Sequence, residues 1–121
     1  MKIWRDYNFE AAHFLPQVPK GHKCRNMHGH SYRVRIWIEA EVDPDMGWAI
    51  DFADVDSVMD PIIAPYDHTV LNDIMEEVTT AENVAARIWR ECSLQLPGHI
   101  EIEVSETGDS GVVFSGPCKR M

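Results

Sequence analysis

The sequence predicts an α+β fold in which an antiparallel sheet carries two helices on one face, in the order ββααββ. Two observations support this class. Both ends of the chain alternate apolar and polar residues with the two-residue period of a strand, and the middle of the chain carries apolar residues at helical spacing. The 121 residues, 45% of them hydrophobic and 26% charged, are enough for one core, so we expect a single domain over residues 1–121.

The first two strands have the clearest alternation. Residues 2–14 place four apolar side chains and one imidazole on a common face: Ile3, Tyr7, Phe9, Ala11 and His13. Residues 30–42 have mostly arginine and glutamate on one side, with Trp37 as the exception, and apolar residues on the other: Tyr32, Val34, Ile36, Ile38, Ala40 and Val42. Residues 15–29, rich in proline, glycine, lysine and histidine, are predicted to form a long loop.

The first helix is predicted to begin near Asp51 or Asp54, where apolar residues start to recur at helical spacing. Pro61 and Pro65 are expected to limit its length, because proline lacks the backbone N–H that a helix needs. Residues 66–78 have no clear period and are predicted to be irregular.

The second helix is predicted to begin near Thr79, which has the spacing of a capping box with Glu82. Pro97-Gly98 ends the helical pattern. Two strands are then expected, over residues 99–107 and 112–115, with a glycine-containing turn between them.

The charge balance excludes some partners. With 20 acidic and 11 basic residues the formal net charge is −9, which argues against a nucleic-acid or membrane-surface binder. One short segment is basic instead, and it could attract an anionic small molecule: Lys20, His22, Lys23 and Arg25. A solvated basic loop is the alternative interpretation of this segment taken alone.

Cysteine usage and the N-terminus indicate a reducing, cytoplasmic setting. Three cysteines without paired spacing predict no disulfide framework: Cys24, Cys92 and Cys118. No run is apolar enough for a signal peptide or long enough to span a bilayer. Cys92 falls on the apolar side of the second helix, and Cys118 has no predicted role.

Three histidines fall on the apolar faces of the first two strands. Because residues i and i+2 of a strand point the same way, His28 and His30 share a side with Tyr32, and His13 shares a side with Phe9. Three neutral imidazoles with an open fourth position are typical of a catalytic zinc site. For any single histidine, a core imidazole bonded to the backbone would be the better interpretation.

Cys24, four residues before His28, has two interpretations that the spacing leaves open. It could be a fourth ligand, which would close the site and make it structural. It could instead be a free thiol beside the metal, where Lys23, Arg25 and the dication would favour the thiolate.

Three further positions could carry chemistry or ligand binding. Adjacent Asp67 and His68 can form a carboxylate-oriented imidazole, a common general acid or base, although such a pair is more often ordinary surface. Glu106 continues the apolar side of its strand, so its carboxylate is either solvated or paired with a ligand rich in N–H donors. Thr80 and Glu82 have the simple interpretation of helix caps.

Taken together, these residues resemble the 6-pyruvoyl-tetrahydropterin synthase superfamily over about residues 3–115. The motifs that carry the resemblance are His13, Gly21-His22-Lys23-Cys24-x-x-x-His28-Gly29-His30, Asp67-His68-x-x-Leu71-Asn72-Asp73, Thr80-x-Glu82 and Glu106-Thr107. The Cys24-to-His28 spacing, Glu41-Val42-Asp43-Pro44 and Gly47-Trp48-x-Ile50-Asp51-Phe52 resemble its bacterial 6-carboxy-tetrahydropterin synthase branch. Related sequences often have proline before the threonine of the second helix, where this chain has Thr79.

The resemblance implies the tunnelling fold. Three subunits of such proteins pair their sheets into a barrel, and two trimers stack into a homohexamer with active sites between subunits, so that Glu106 could serve a neighbour's site. It also implies a small-molecule substrate, 7,8-dihydroneopterin triphosphate. The expected products are 6-carboxy-5,6,7,8-tetrahydropterin, acetaldehyde and triphosphate, in queuosine biosynthesis.

Residue roles follow from the same resemblance. Zn²⁺ is expected on His13, His28 and His30, and the catalytic residues are expected to be Cys24, Asp67 and His68. Glu106 and Thr80 are expected to bind the pterin, and Lys20, His22 and Lys23 to steer the triphosphate. The alternatives are 6-pyruvoyl-tetrahydropterin synthase activity on the same substrate and a non-catalytic zinc-binding module.

Overall fold

Five strands form one sheet in the computed structural model, which describes residues 1–117; Cys118 lies outside them. The strands are β1 (Lys2–His13), β2 (His28–Glu39), β3 (Thr69–Val70), β4 (His99–Thr107) and β5 (Ser110–Phe114). The helices are α1 (Phe52–Ile63), α2 (Leu71–Ile74) and α3 (Ala81–Cys92). The order across the sheet is β3-β1-β2-β4-β5.

The long antiparallel pair of β1 and β2 confirms the predicted alternation. Its register sets Phe9 opposite Tyr32, and the two rings stack with centroids 4.6 Å apart. The same register sets His13 opposite His28 at the end of the pair. Side chains of one parity therefore form a continuous buried face, and the imidazoles stand at one end of it.

The helices α1 and α3 cover this face, as predicted. Their buried residues include Val55 and Met59 of α1 and Val84 and Ile88 of α3, each 0% exposed. Full burial of each such side chain contributes roughly 1.5–3 kcal/mol to folding. The core therefore lies between the helix pair and one side of the sheet.

The opposite face of the sheet carries charged and aromatic residues. Arg35 lies over the Trp4 ring at 3.9 Å and is bonded to Asp6, with Nε 2.7 Å from Oδ1. Trp37 also packs beside Trp4, with ring centroids 6.3 Å apart. The exceptional position of Trp37 in the sequence pattern is thus explained by a partner on the same face.

Two strand boundaries differ from those predicted. β2 begins at His28 and ends at Glu39, because the chain turns at Asp43, whose carboxylate accepts the backbone N–H of Asp45 at 2.8 Å. Val42 is therefore outside the strand and 37% exposed. The last strand begins earlier than predicted, at Ser110.

The segment predicted to be irregular, residues 66–78, is partly regular. Thr69–Val70 forms β3, which pairs with Ala11 and Ala12 of β1 in parallel, so the sheet is not wholly antiparallel. The short helix α2 follows directly. A strand of two residues is too short to show a period in the sequence.

The helix starts show one correct and one wrong prediction. Asp51 caps α1, and its carboxylate accepts the N–H of Ala53 at 2.9 Å. The capping residue of α3 is Thr80, so the predicted capping box starting at Thr79 is wrong. Pro61 lies inside α1 and does not end it.

Among the helices of residues 1–117, none combines the length and the apolar character needed to cross a bilayer.

Candidate metal centre and active site

Three imidazoles meet at one end of the β1–β2 pair. His13 ends β1, His28 begins β2 directly opposite, and His30 follows on the same face. Their ring centroids are 4.6 to 5.1 Å apart, and one nitrogen of each ring lies within 4.8 Å of the others. Strand alternation thus brings together the three side chains predicted as metal ligands.

Hydrogen bonds to the backbone fix which ring nitrogen is free. His13 Nδ1 lies 2.7 Å from the Thr79 carbonyl, and His28 Nδ1 lies 2.7 Å from the Asn26 carbonyl. A carbonyl only accepts, so Nδ1 carries the proton in both rings and Nε2 keeps its lone pair. This is the tautomer that a histidine needs to bind a metal through Nε2.

Two of these nitrogens have no protein partner. The Nε2 atoms of His13 and His30 are buried and make no hydrogen bond. His30 Nε2 lies 3.3 Å from Glu106 Oε2, but the two groups are not aligned for a hydrogen bond. Buried polar atoms are normally satisfied, so such orphaned atoms indicate a bound group.

Electrostatics favour the neutral imidazole of His30. Burial lowers the pKa of His30, and nearby His13 and His28 lower it further, while Glu106 acts in the opposite direction. A neutral imidazole is the form that binds a metal ion. The donor set, its tautomers and its orphaned nitrogens therefore fit a divalent cation such as zinc.

Cys24 lies beside the histidines without joining them. Among the described residues, the group that could hold a metal consists of the three histidines and does not include Cys24. The thiol lines a cavity of about 370 Å³ together with Lys23, His28, His30, Glu106 and Thr107. This placement favours an open three-histidine site with a neighbouring free thiol over a closed four-ligand site.

The loop that carries Cys24 is held by its basic residues. His22 Nδ1 accepts the Cys24 N–H at 3.1 Å, and Arg25 donates to the carbonyls of Pro16 and Val18. Of the basic residues predicted to steer the triphosphate, Lys23 lines the cavity. Lys20 and His22 are exposed on the loop outside it.

The predicted acid/base pair is formed, but it faces another cavity. His68 Nδ1 lies 2.9 Å from Asp67 Oδ2, and Asp67 Oδ1 accepts the Glu10 N–H at 2.9 Å. That N–H, followed by His68, lowers the pKa of the Asp67 carboxyl. The His68 side chain is 80% exposed and lines a cavity of about 410 Å³ together with Gly29, His30 and Ser31, and Cys24 is not part of that lining.

Glu106 and Thr80, the residues predicted to bind the pterin, have separate surroundings. Glu106 Oε2 lies 3.3 Å from Nε2 of His30 in its own chain. The expectation that Glu106 serves a neighbour's site stays a prediction. It also borders a second cavity of about 250 Å³ with Glu82. Thr80 caps α3, with its hydroxyl 3.3 Å from the Asn83 N–H nitrogen.

Comparison with known proteins assigns this arrangement to a family. Residues 2–117 match the family described as 6-pyruvoyl tetrahydropterin synthase. The chain belongs to this family. The predicted superfamily and the predicted lyase class are thereby confirmed.

Individual members of the family are similar over most of their length. The chain is 34% identical over 122 residues to the 6-carboxy-5,6,7,8-tetrahydropterin synthase of Synechocystis sp., covering 95% of this chain and 93% of that protein. It is 36% identical over 103 residues to human 6-pyruvoyl tetrahydrobiopterin synthase, covering 78% and 71%. The solved structure of Caenorhabditis elegans 6-pyruvoyl tetrahydropterin synthase superposes with a TM-score of 0.86 at 25% identity, covering 97% and 96%. The predicted tunnelling fold is confirmed.

Two residues of this synthase site were not predicted. Thr79 is 1% exposed, and its carbonyl binds His13 Nδ1. A threonine just before a helix is normally interpreted as a cap, so the sequence did not indicate this contact. Tyr32 is 0% exposed, and its ring packs edge-on against His13 and His30 while its hydroxyl has no partner. Burial, with Glu106 nearby, raises the pKa of this phenol. From the sequence, the only signal for Tyr32 is that it lies two residues after His30 and therefore on the same face of the strand.

Proposed function

We propose that this chain is a zinc-dependent carbon–carbon lyase. The reaction takes 7,8-dihydroneopterin triphosphate and one water to 6-carboxy-5,6,7,8-tetrahydropterin, acetaldehyde and triphosphate. The observation that carries the proposal is the cavity in which a thiol, two of the three clustered imidazoles and a carboxylate meet. The name of the Synechocystis relative supports the choice of product.

Each group at the cavity matches a need of that substrate. Glu106 can accept the adjacent N–H donors of the pterin ring in a bidentate arrangement. Cys24, as thiolate, can move a proton at the side-chain carbon next to the ring. Lys23 can receive the triphosphate. Zinc on His13, His28 and His30 supplies stabilisation of negative charge that develops on the side-chain oxygens.

Proton transfer at the other side of the substrate is assigned to His68, oriented by Asp67. In one chain His68 lines a different cavity from Cys24, although His30 borders both cavities. A homohexamer built as a dimer of trimers, with active sites between subunits, would let one copy supply His68 to another copy's cavity. The proposal therefore includes this assembly.

The sheet edges support such an assembly. β3 pairs only with Ala11 and Ala12, so most of the outer edge of β1 has no strand partner within the described chain. The outer edge of β5 has none there either. Sheet edges of this length are normally covered, and pairing between copies would cover both.

A second candidate is 6-pyruvoyl-tetrahydropterin synthase activity on the same substrate, favoured by the similarity to the human enzyme. The short spacing from Cys24 to His28 favours the carboxy product. A cytoplasmic role in queuosine biosynthesis belongs to the preferred proposal.

The test is mass-spectrometric product analysis with zinc-loaded protein and 7,8-dihydroneopterin triphosphate. We expect 6-carboxy-tetrahydropterin and acetaldehyde from the parent, and retained zinc without turnover from Cys24→Ala. Cys92→Ala is the matched control, because Cys92 is 0% exposed inside α3 and does not line the cavity. It should keep both zinc and turnover.

Other outcomes separate the alternatives. Release of 6-pyruvoyl-tetrahydropterin would keep the site and change the product. Loss of zinc in Cys24→Ala would indicate a closed four-ligand site, and absence of any pterin product from zinc-loaded parent would leave the binding-module interpretation.

A further inference from the structure

Residues 67–79, here called the clamp segment, run along the outer edge of β1 at its His13 end. At the start of the segment, Asp67 Oδ1 accepts the Glu10 N–H at 2.9 Å, and the His68 N–H donates to the Glu10 carbonyl at 2.6 Å. β3 then pairs with the next two residues of β1. The segment thus follows β1 residue by residue toward His13.

Asn72 continues this pairing past the end of the strand. Its Oδ1 accepts the Phe14 N–H at 3.0 Å, and its Nδ2 donates to the Phe14 carbonyl at 2.9 Å. One side-chain amide therefore binds both backbone groups of the residue that follows His13. A carboxamide offers a donor and an acceptor on one planar group, which suits Asn72 to bind both backbone groups of a single residue.

Thr79 closes the clamp segment on the imidazole itself. Its carbonyl lies 2.7 Å and its Oγ1 lies 3.2 Å from His13 Nδ1. The same hydroxyl donates to the Phe14 carbonyl at 3.3 Å, so Asn72 and Thr79 share that acceptor. The backbone just after His13 and the far side of its ring are therefore held by one segment.

We infer that Asn72 is a positioning residue for the metal ligand His13, acting through the Phe14 backbone together with Thr79. The inference rests on the metal centre of the proposed function. Asn72 does not contact the imidazole; it fixes the backbone from which His13 projects and the distance to the Thr79 carbonyl. Loss of an outer partner of a metal ligand typically weakens metal binding by roughly 10–100-fold.

The test is the affinity of the purified full chain for Co²⁺ and Zn²⁺, measured by competition with a chelator, and the visible spectrum of the Co²⁺ form. We expect Asn72→Ala to weaken Co²⁺ binding by about tenfold or more and to alter the ligand-field bands, because His13 is no longer held in one orientation. Thr79→Val should weaken binding by a smaller factor, since the carbonyl contact remains, and Thr79→Ser should restore it.

Thr69→Val is the matched control. Thr69 lies in the same clamp segment and donates its hydroxyl to the Tyr66 carbonyl at 2.7 Å, without contacting His13 or Phe14. We expect it to keep the parent affinity and spectrum even where it lowers the thermal midpoint. General destabilisation cannot imitate the effect, because a native state that is almost fully populated leaves the apparent dissociation constant unchanged.

Each outcome decides the matter. Parent-like Co²⁺ affinity and spectrum in Asn72→Ala would make Asn72 a purely structural residue and overturn the inference. If Asn72→Ala does not fold, an unchanged affinity in Thr79→Val would overturn it instead. Failure of the parent itself to bind Co²⁺ or Zn²⁺ would overturn the metal centre, and the inference with it, whereas metal-bound parent without pterin turnover would affect the proposed reaction alone.

Discussion

The two faces of the β1–β2 pair treat polar groups in opposite ways. On the open face, Arg35 is bonded to Asp6 at 2.7 Å and Arg33 to Glu103 at 2.7 Å. On the helix-covered face, at its histidine end, buried polar atoms of His13, His30 and Tyr32 have no partner. The ion pairs of the open face serve the fold, whereas the cluster of three unpaired buried atoms at the histidine end indicates a ligand.

The difference has an energetic side. A buried donor or acceptor without a partner costs roughly 1–3 kcal/mol, and three such atoms lie at one site. Their neighbours make this tolerable, since the core of β1 and β2 is otherwise apolar and well packed. A site whose unpaired polar atoms cost free energy until a ligand binds them is typical of a binding function.

The largest expected effect is on the histidine end. His30→Ala should weaken Zn²⁺ binding by at least about 100-fold, because it removes a direct ligand where outer partners alone are worth 10–100-fold. Chelator competition would measure this. His99→Ala, at the exposed start of β4, should bind like the parent. Near-parent affinity in His30→Ala would remove the distinction between the two faces.

A smaller and purely structural effect is expected on the open face. Asp6→Asn should lower the thermal midpoint by a few degrees, because both arginines that contact Asp6 lose its charge. Zn²⁺ affinity should not change. Calorimetry and metal titration on the same samples would check both, and a loss of metal affinity would contradict the separation of the faces.

Tyr32→Phe is expected to change stability in the direction opposite to Asp6→Asn. Removing a buried hydroxyl that has no partner should leave the free energy of unfolding of the metal-free protein unchanged or raise it by about 1 kcal/mol. Urea unfolding would measure this. A clear destabilisation would mean that the hydroxyl is bonded in the folded protein and that the histidine end is less open to a ligand than described.

The smallest effect is a pH dependence of stability at acid pH. Asp6 and Asp56 have pKa values lowered by Arg35 and by Tyr7 respectively. A lowered folded pKa gives stability that is present above the unfolded value, about 3.9, and is lost as pH falls through the folded value. The contribution of these two carboxylates to the urea midpoint should therefore be constant near neutrality and fall below about pH 4. Asp6→Asn should flatten that fall.

The sequence predicted best what depends on regular alternation. The faces of β1 and β2, and with them the convergence of His13 and His28, follow from a two-residue period sustained over twelve residues. Asp51 was one of the two starts predicted for α1, because a short acidic side chain precedes a helical period there.

The clamp segment shows why other features could not be predicted. β3 is two residues long, so it has no period of its own and depends on β1 for its existence. Thr79 and Thr80 both have the chemistry of a cap, and tertiary contacts decide between them, since His13 and Phe14 use Thr79. The separation of His68 from Cys24 depends on three-dimensional placement that neighbouring motifs do not reveal.

All three imidazoles lie on one antiparallel strand pair, on either side of the loop of residues 14–27. A metal bound there would act as a cross-link that closes this loop, and closing a loop of about this length restricts the denatured chain by roughly 3 kcal/mol in the entropic account of disulfides. Because the helices supply no ligand, the cross-link could form in the hairpin before they dock. The metal would then stabilise an early folding unit and at the same time tether the loop that presents Cys24.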